Sequence, residues 1–394
     1  MAARACPVDL SAKSTYFESI PHTLLTRLRN ETPVFWHEGK TLSYWAVLKH
    51  EDVRVVSRDN ATFSSQRSGV FYESQQSSLS GSLILADPPE HTQLRQVVDQ
   101  PFAKSAVAEL EEFLRRKCRA IMDAAARKGT CDFVYDLAAE LPLAAISEIM
   151  AVAQPDRNEL LELGDAVIRA VDPEHRNAAL SELGIFGRRL AEARDAGTEG
   201  RSDLVSRIRT SNRQGCPLSE EEFGGQFAQI AVAANETTRT LISNIALEFI
   251  RRPTLFDELA ADPGLIPQAI EEFLRWVTPI YYMRRTATCD TEIRGQQIRA
   301  GDAVVMYYLS ANRDEDVFEQ PFELDIRRSP NRHLAFGVGR HVCLGQFLAR
   351  LETRVFLEEL TSRFSAVETA GEPVRLLSNI TNSWERIPVA LTAR

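Results

Sequence analysis

Residues 336–345 read FGVGRHVCLG, placing a histidine and one cysteine among three glycines. Cys343 stands where an apolar helix begins, so backbone N–H groups and the helix dipole favour its thiolate. Gly337, Gly339 and Gly345 let the backbone pass close to a large flat object. A zinc site would need more ligands nearby. The plainer alternative is a packed free thiol.

A second candidate lies in LSEEEFGGQFAQIAVAANETTRTLISNIALEFIRRP, 218–253. Ser219 and Glu222 form a capping box and Pro253 marks the end, predicting a helix of roughly 48 Å. Its inner stripe runs Phe223, Phe227, Ile230, Ala234, Thr237, Leu241. Thr237 falls where packing alone would choose an apolar side chain, with Glu236 beside it. A buried carboxylate is costly unless paired or given a task. Two readings stay open: a kink with threonine bonded back to the preceding turn, or an acid–alcohol pair handling protons in a dry pocket.

The elements that must position these residues are mostly helices. Apolar periodicity predicts helices from Val107 to Gly129, from about Pro267 to Val277, and over 344–360, with Leu344, Phe347, Leu348, Leu351 and Val355 on one face. Another starts after DPPEH, with Asp87 as N-cap, Pro88 at N1 and Glu90 closing a capping box. TPVFWHEGKTLSYWAV (32–47) reads as a hairpin turning at Glu38-Gly39, and 291–308 as a small sheet around glycine turns. Segments 64–82 and 196–203 read as polar loops. The fold class is therefore mainly α with a small β portion.

The chain has 394 residues and 44% hydrophobic content, enough for a large core. Its longest apolar runs fall far short of the roughly 18 residues of a membrane span. MAARACPVDL lacks a signal-peptide core. A net charge of −9 argues against a general nucleic-acid binder. The six cysteines are scattered without a C-x-x-C pair, which fits a reducing, cytoplasmic setting.

The pattern Phe336-x-x-Gly339-x-His341-x-Cys343-x-Gly345 resembles the haem-binding loop of the cytochrome P-450 superfamily, the haem-thiolate monooxygenases. The resemblance runs from about residue 85 to the end. AANETT, from Ala233, looks like the family's oxygen-activating segment. Glu272 and Arg275 look like its E-x-x-R pair, with Arg328 completing the structural triad; the alternative is a surface i,i+3 pair. HTQLR places His91 and Arg95, and RRTAT places Arg285, where the family holds haem propionates. With His341, four cations converge from distant segments. The family usually has glycine where this chain has Ala234.

The resemblance implies a single haem-containing domain over 1–394, with a β-rich part at about 32–60, a helical core at about 87–280, a sheet at about 284–308 and the ligand loop at 336–345. It implies haem b (heme, iron protoporphyrin IX) with Cys343 as iron ligand and Phe336, Gly337, Gly345 and Ala233 against the cofactor. Thr237 and Glu236 would deliver protons during O2 activation. One oxygen atom would enter a hydrophobic molecule: a terpenoid, steroid or fatty acid, or alternatively a polyketide or other natural-product intermediate. By position, Ile230, Ala234, Ile280, Tyr281, Tyr282, Met283 and Ile380 would line the pocket, with parts of 64–85 and 165–185. Electrons would come from a separate ferredoxin or flavodoxin and its NAD(P)H reductase, with no NAD(P)H or flavin bound directly. The enzyme would be a cytoplasmic monomer. A peroxide-using haem-thiolate enzyme and a haem-based sensor or carrier are the rivals.

Overall fold

The computed structural model describes residues 8–40, 42–66, 79, 81–170, 172–195, 203–213 and 216–394. Most of the two polar loops, 67–78, 80 and 196–202, lies outside the described residues.

Strand alternation builds one mixed sheet. β1 (Val34–His37) and β2 (Tyr44–Val47) form the expected hairpin, with Trp36 opposite Trp45. With β3 (Phe63–Ser64), β4 (Tyr282–Ala287) and β5 (Ala303–Tyr307), the order is β1-β2-β5-β4-β3. Ala303, Val305 and Tyr307 face one apolar cluster, while Val304 and Met306 face another. That period of two buries both sides of the sheet. The expected sheet over 291–308 divides: Thr291–Ile293 and Gln296–Ile298 pair as a separate hairpin, and only β5 joins the large sheet.

Eight helices carry the main core: α1 (Glu90–Val98), α2 (Glu111–Lys128), α3 (Glu140–Ile149), α4 (Arg157–Arg169), α5 (Pro173–Asp195), α6 (Glu220–Arg251), α7 (Ile266–Val277) and α8 (Gln346–Arg363). α6 runs through the middle and packs on α3, α4, α5, α7 and α8. Its capping box forms as expected: the Glu222 amide donates to Ser219 Oγ at 3.1 Å, and the Ser219 amide to Glu222 Oε2 at 2.8 Å. Among the described residues no helix is long and apolar enough to cross a membrane.

Three local expectations are corrected. Asp87 does not cap α1, which starts later; its carboxylate instead accepts from the Ser65 amide at 2.8 Å and Ser64 Oγ at 2.5 Å. The charge thus ties the entry of α1 to the end of β3. The helix expected from Val107 is broken at Leu110, between Lys104–Glu109 and α2. Phe347 is 37% exposed, whereas Leu348, Leu351 and Val355 are buried. It lies at the edge of the apolar stripe, in the first turn of α8.

Candidate cofactor-binding and active site

The cysteine loop is closed on itself before α8 begins. The Cys343 amide donates to Phe336 O at 2.9 Å, and the Gly337 amide to Leu334 O at 2.9 Å. Gly337 and Gly339 take φ of 66° and 82°, the left-handed region where a side chain is strained. A Cβ on Gly339 would also stand 3.0 Å from Ser57 O. Ser57 Oγ donates to Val338 O at 2.7 Å, and Arg350 stacks over the Phe336 ring at 4.5 Å while pairing with Glu271 at 2.6 Å. Burial pushes the Cys343 thiol up, while the Gly345 amide, Arg95 and Arg350 act against it.

Around this loop the structure gathers positive charge. The His91 and His341 rings lie 4.3 Å apart, and Arg95 Nη1 donates to Val342 O at 2.8 Å. Burial, Arg95 and Arg340 lower His91 to about 4. Burial, Arg285, His91 and Arg95 lower His341 to about 2. Arg285 is buried, and burial lowers its pKa. Among the described residues, His91 Nε2 and Arg285 Nε have no hydrogen-bond partner. His91, Arg95, Arg285 and His341 thus come together, with nitrogens of His91 and Arg285 left without acceptors among the described residues. Such a set fits two carboxylates of a bound molecule.

α6 opens its stripe nearby in sequence. Phe223, Phe227, Ile230 and Leu241 are buried, but Ala233 is exposed and Ala234 and Thr237 are half-buried. Thr237 Oγ1 donates to Ala233 O at 2.8 Å, so the back-bond exists and sits on the open stretch. Glu236 points elsewhere. Its buried carboxylate pairs with Arg239 and accepts from Ser383 Oγ at 2.6 Å and Thr240 Oγ1 at 3.3 Å. Arg239 also reaches Asp165 of α4 at 2.7 Å. Arg239 sits three residues from Glu236 on the same helix, so that pair could have been found in the sequence. Asp165 and Ser383 carry no such signal.

The structural triad is assembled and buried. Arg275 Nε and Nη2 grip Glu272 at 2.8 and 2.7 Å, Arg328 Nε adds a contact at 3.2 Å, and Asn331 Nδ2 another at 2.9 Å. The surface-pair alternative fails, because Glu272 and Arg275 are fully buried. The expected pocket lining is only partly brought together. Ile280 and Met283 are half-buried, but Tyr281, Tyr282 and Ile380 belong to the tyrosine-rich cluster beneath the sheet. Tyr282 pairs with Tyr307 across β4 and β5, and alternation turns it away from the face of Met283. Tyr281 stacks on Tyr16 at 5.0 Å, with its hydroxyl 3.3 Å from Asn382 Oδ1. Neither phenol is offered to a pocket.

Comparison with known proteins agrees with this geometry. The family model described as Cytochrome P450 matches residues 264–381. Linalool 8-monooxygenase of Pseudomonas putida is 33% identical, over 98% of this chain and 99% of the relative. The chain belongs to the cytochrome P450 family. A steroid C26-monooxygenase of Mycolicibacterium smegmatis is 34% identical, covering 95% of this chain and 91% of that protein. The structure of a Mycobacterium marinum cytochrome P450 in complex with pseudoionone has a TM-score of 0.91 and 32% identity, covering 99% of this chain and 100% of that one. The protein is thus a P450 monooxygenase with the P450 fold, and haem is the flat, dicarboxylate group that its cation set fits. The curated relatives are bacterial monooxygenases named for terpenoid, steroid and lipid substrates.

Proposed function

We propose that this P450 inserts one oxygen atom from O2 into a hydrophobic small molecule of terpenoid, steroid or fatty-acid type, with electrons from a separate ferredoxin or flavodoxin and its reductase. The observation that carries the reading is the gathering of His91, Arg95, Arg285 and His341 around the Cys343 loop, with buried nitrogens of His91 and Arg285 left without acceptors among the described residues. Haem ligated by Cys343 would supply the oxygen-activating redox chemistry. His91, Arg95, Arg285 and His341 would hold its propionates. Phe336 and Gly337 would lie against it, and the Gly345 amide, just before α8, hydrogen-bonds the Cys343 thiol.

Ala233 and Ala234 present a small apolar surface, suited to excluding water and seating hydrocarbon beside Thr237. With its proton committed to Ala233 O, Thr237 Oγ1 keeps lone pairs free to accept from a group in the groove. Glu236 Oε1, Ser383 Oγ and Thr240 Oγ1 form a buried chain, the hydroxyls 2.7 Å apart, along which a proton can pass. Glu236 can serve it only while Arg239 holds the charge. Arg332 and Arg340 are exposed on the cysteine loop and suit docking of an acidic electron carrier to an acidic protein.

The reduced, haem-loaded protein under carbon monoxide tests the reading. A strongly red-shifted Soret band is expected for the parent and its loss for Cys343→Ser. A parent spectrum typical of histidine ligation would sink it. A library of terpenoids, steroids and fatty acids, scored by haem spin-state change, then reads the substrate class.

A further inference from the structure

The chain entering α1 does not cross open space; it runs along α6 in fixed register. Gly81, at φ +75°, approaches the first turn so closely that a Cβ there would meet Glu222 Cγ at 2.5 Å. The Leu83 amide then donates to Gln226 Oε1 at 2.7 Å, and the Ile84 amide to Gln229 Oε1 at 3.1 Å. Glu222, Gln226 and Gln229 are spaced by four and three residues, so they form one ridge of the helix.

Leu83–Leu85 is a single tight turn with no side-chain cap of its own. Its first amides would lack acceptors, and the two glutamines supply them. Gln226 is 1% exposed, a costly place for an amide that had no such duty. With both amide oxygens engaged by backbone, the turn presents hydrocarbon: Leu83 is buried, while Ile84 and Leu85 are half-buried against the core. The next residue along the same ridge is Ala233, with Ala234 beside it, where α6 opens. Gln229 and Ala233 are four residues apart, about 6 Å along the axis.

We propose that Gln226 and Gln229 are specificity-determining positioning residues, holding the Leu83–Leu85 turn as the end wall of the substrate groove. This wall accepts the hydrocarbon end of a substrate, not a polar one, and its distance from Ala233 sets which carbon is presented for oxidation. The inference rests on the reading above that the opened stretch of α6 borders the site of oxidation.

The test uses haem-loaded protein and a series of 1-alkylimidazoles of increasing chain length, whose imidazole ligates the iron while the chain gauges the groove. In the parent, affinity is expected to rise about fourfold per methylene until the chain meets the wall, then level off. Gln229→Leu should move that break to longer chains by one or more methylenes. Hydrogen exchange of the Ile84 amide should quicken about fivefold, the equivalent of about 1 kcal/mol for one neutral hydrogen bond. Gln229→Glu, which keeps an acceptor, should restore the parental break. Gln229 is half-buried, so these variants avoid the folding risk of changing Gln226. An unmoved break with faster Ile84 exchange overturns the wall; unmoved exchange overturns the clamp. A parent lacking the thiolate carbon monoxide spectrum sinks the functional reading, and the inference with it.

Discussion

Two clusters of buried charge in this protein are built on opposite principles. Around Glu272, donors converge on one carboxylate: Arg275 spans it and also donates to Asn312 O at 3.0 Å, Pro321 O at 2.8 Å and Glu323 O at 2.9 Å. Burial disfavours the Glu272 charge, yet Arg275 outweighs it and the pKa is lowered. Around His91, burial and the neighbouring arginines lower both histidines, and nitrogens of His91 and Arg285 are left without acceptors among the described residues. The first cluster holds its own carboxylate and belongs to the scaffold. The second leaves buried nitrogens of His91 and Arg285 without acceptors, the arrangement expected of an anion-binding site and not of a structural ion pair.

The contrast can be broken first at the scaffold. Glu272→Ala leaves Arg275 buried without its partner and should cost about 3–5 kcal/mol in urea unfolding of the cofactor-free protein. A loss under about 1 kcal/mol, the range of exposed pairs, would show that the triad is not the sealed unit described. At the other cluster the sign should reverse. Arg285→Leu removes an unneutralised charge, so the cofactor-free protein should be no less stable. Its haem affinity should nevertheless fall by about 1.5–3 kcal/mol, the range for hydrogen bonds to charged groups. Equal destabilisation by both variants would erase the distinction.

Acid sharpens the comparison further. His91 is lowered to about 4 by burial, Arg95, Arg340 and Arg285, with Asp87 opposing. The unfolded chain takes up that proton near pH 6.5 and the folded chain only near 4. Stability of the cofactor-free protein should therefore fall as pH drops from about 6.5 towards about 4, by up to about 1.4 kcal/mol per unit from this group. His91→Gln should reduce that slope by about 1.4 kcal/mol per unit, leaving the share of His341, and haem should reduce it too, since its propionates would raise the His91 pKa. A slope unaffected by either would place the acid sensitivity elsewhere.

The smallest effect on stability is expected at Thr237. Thr237→Ala removes one back-bond and installs the better helix former, a change of a few tenths of a kcal/mol. The consequence should be catalytic: electrons are still consumed, but more leave as hydrogen peroxide and less as product. Thr237→Ser should restore much of the coupling. Coupling intact in the alanine variant, with helix stability altered, would leave only the kink reading.

Much of this was legible in local pattern. The capping box, the span of α6, the first hairpin and the cysteine loop each depend on residues within a few positions of one another, whose spacing states the geometry. The inward position of Thr237 followed from counting a helical stripe. What failed was anything requiring knowledge of a neighbour. DPPEH has the form of a cap, yet Asp87 spends its carboxylate on β3. Tyr281 and Tyr282 look like pocket phenols until strand pairing turns Tyr282 towards Tyr307, and packing stacks Tyr281 on Tyr16.

By itself, the sequence determined the long central helix, the first hairpin, where the thiol stands, and that basic residues recur at 91, 95, 285 and 341, because short-range sterics and periodicity are written residue by residue. Only the tertiary structure decided that those four side chains meet beside the Cys343 loop while Glu272 meets three donor side chains. It also decided that Glu236 is claimed by Arg239 and that two glutamines hold the Leu83–Leu85 turn. Charge compensation and desolvation depend on distances between segments far apart in the chain, and no local pattern contains them.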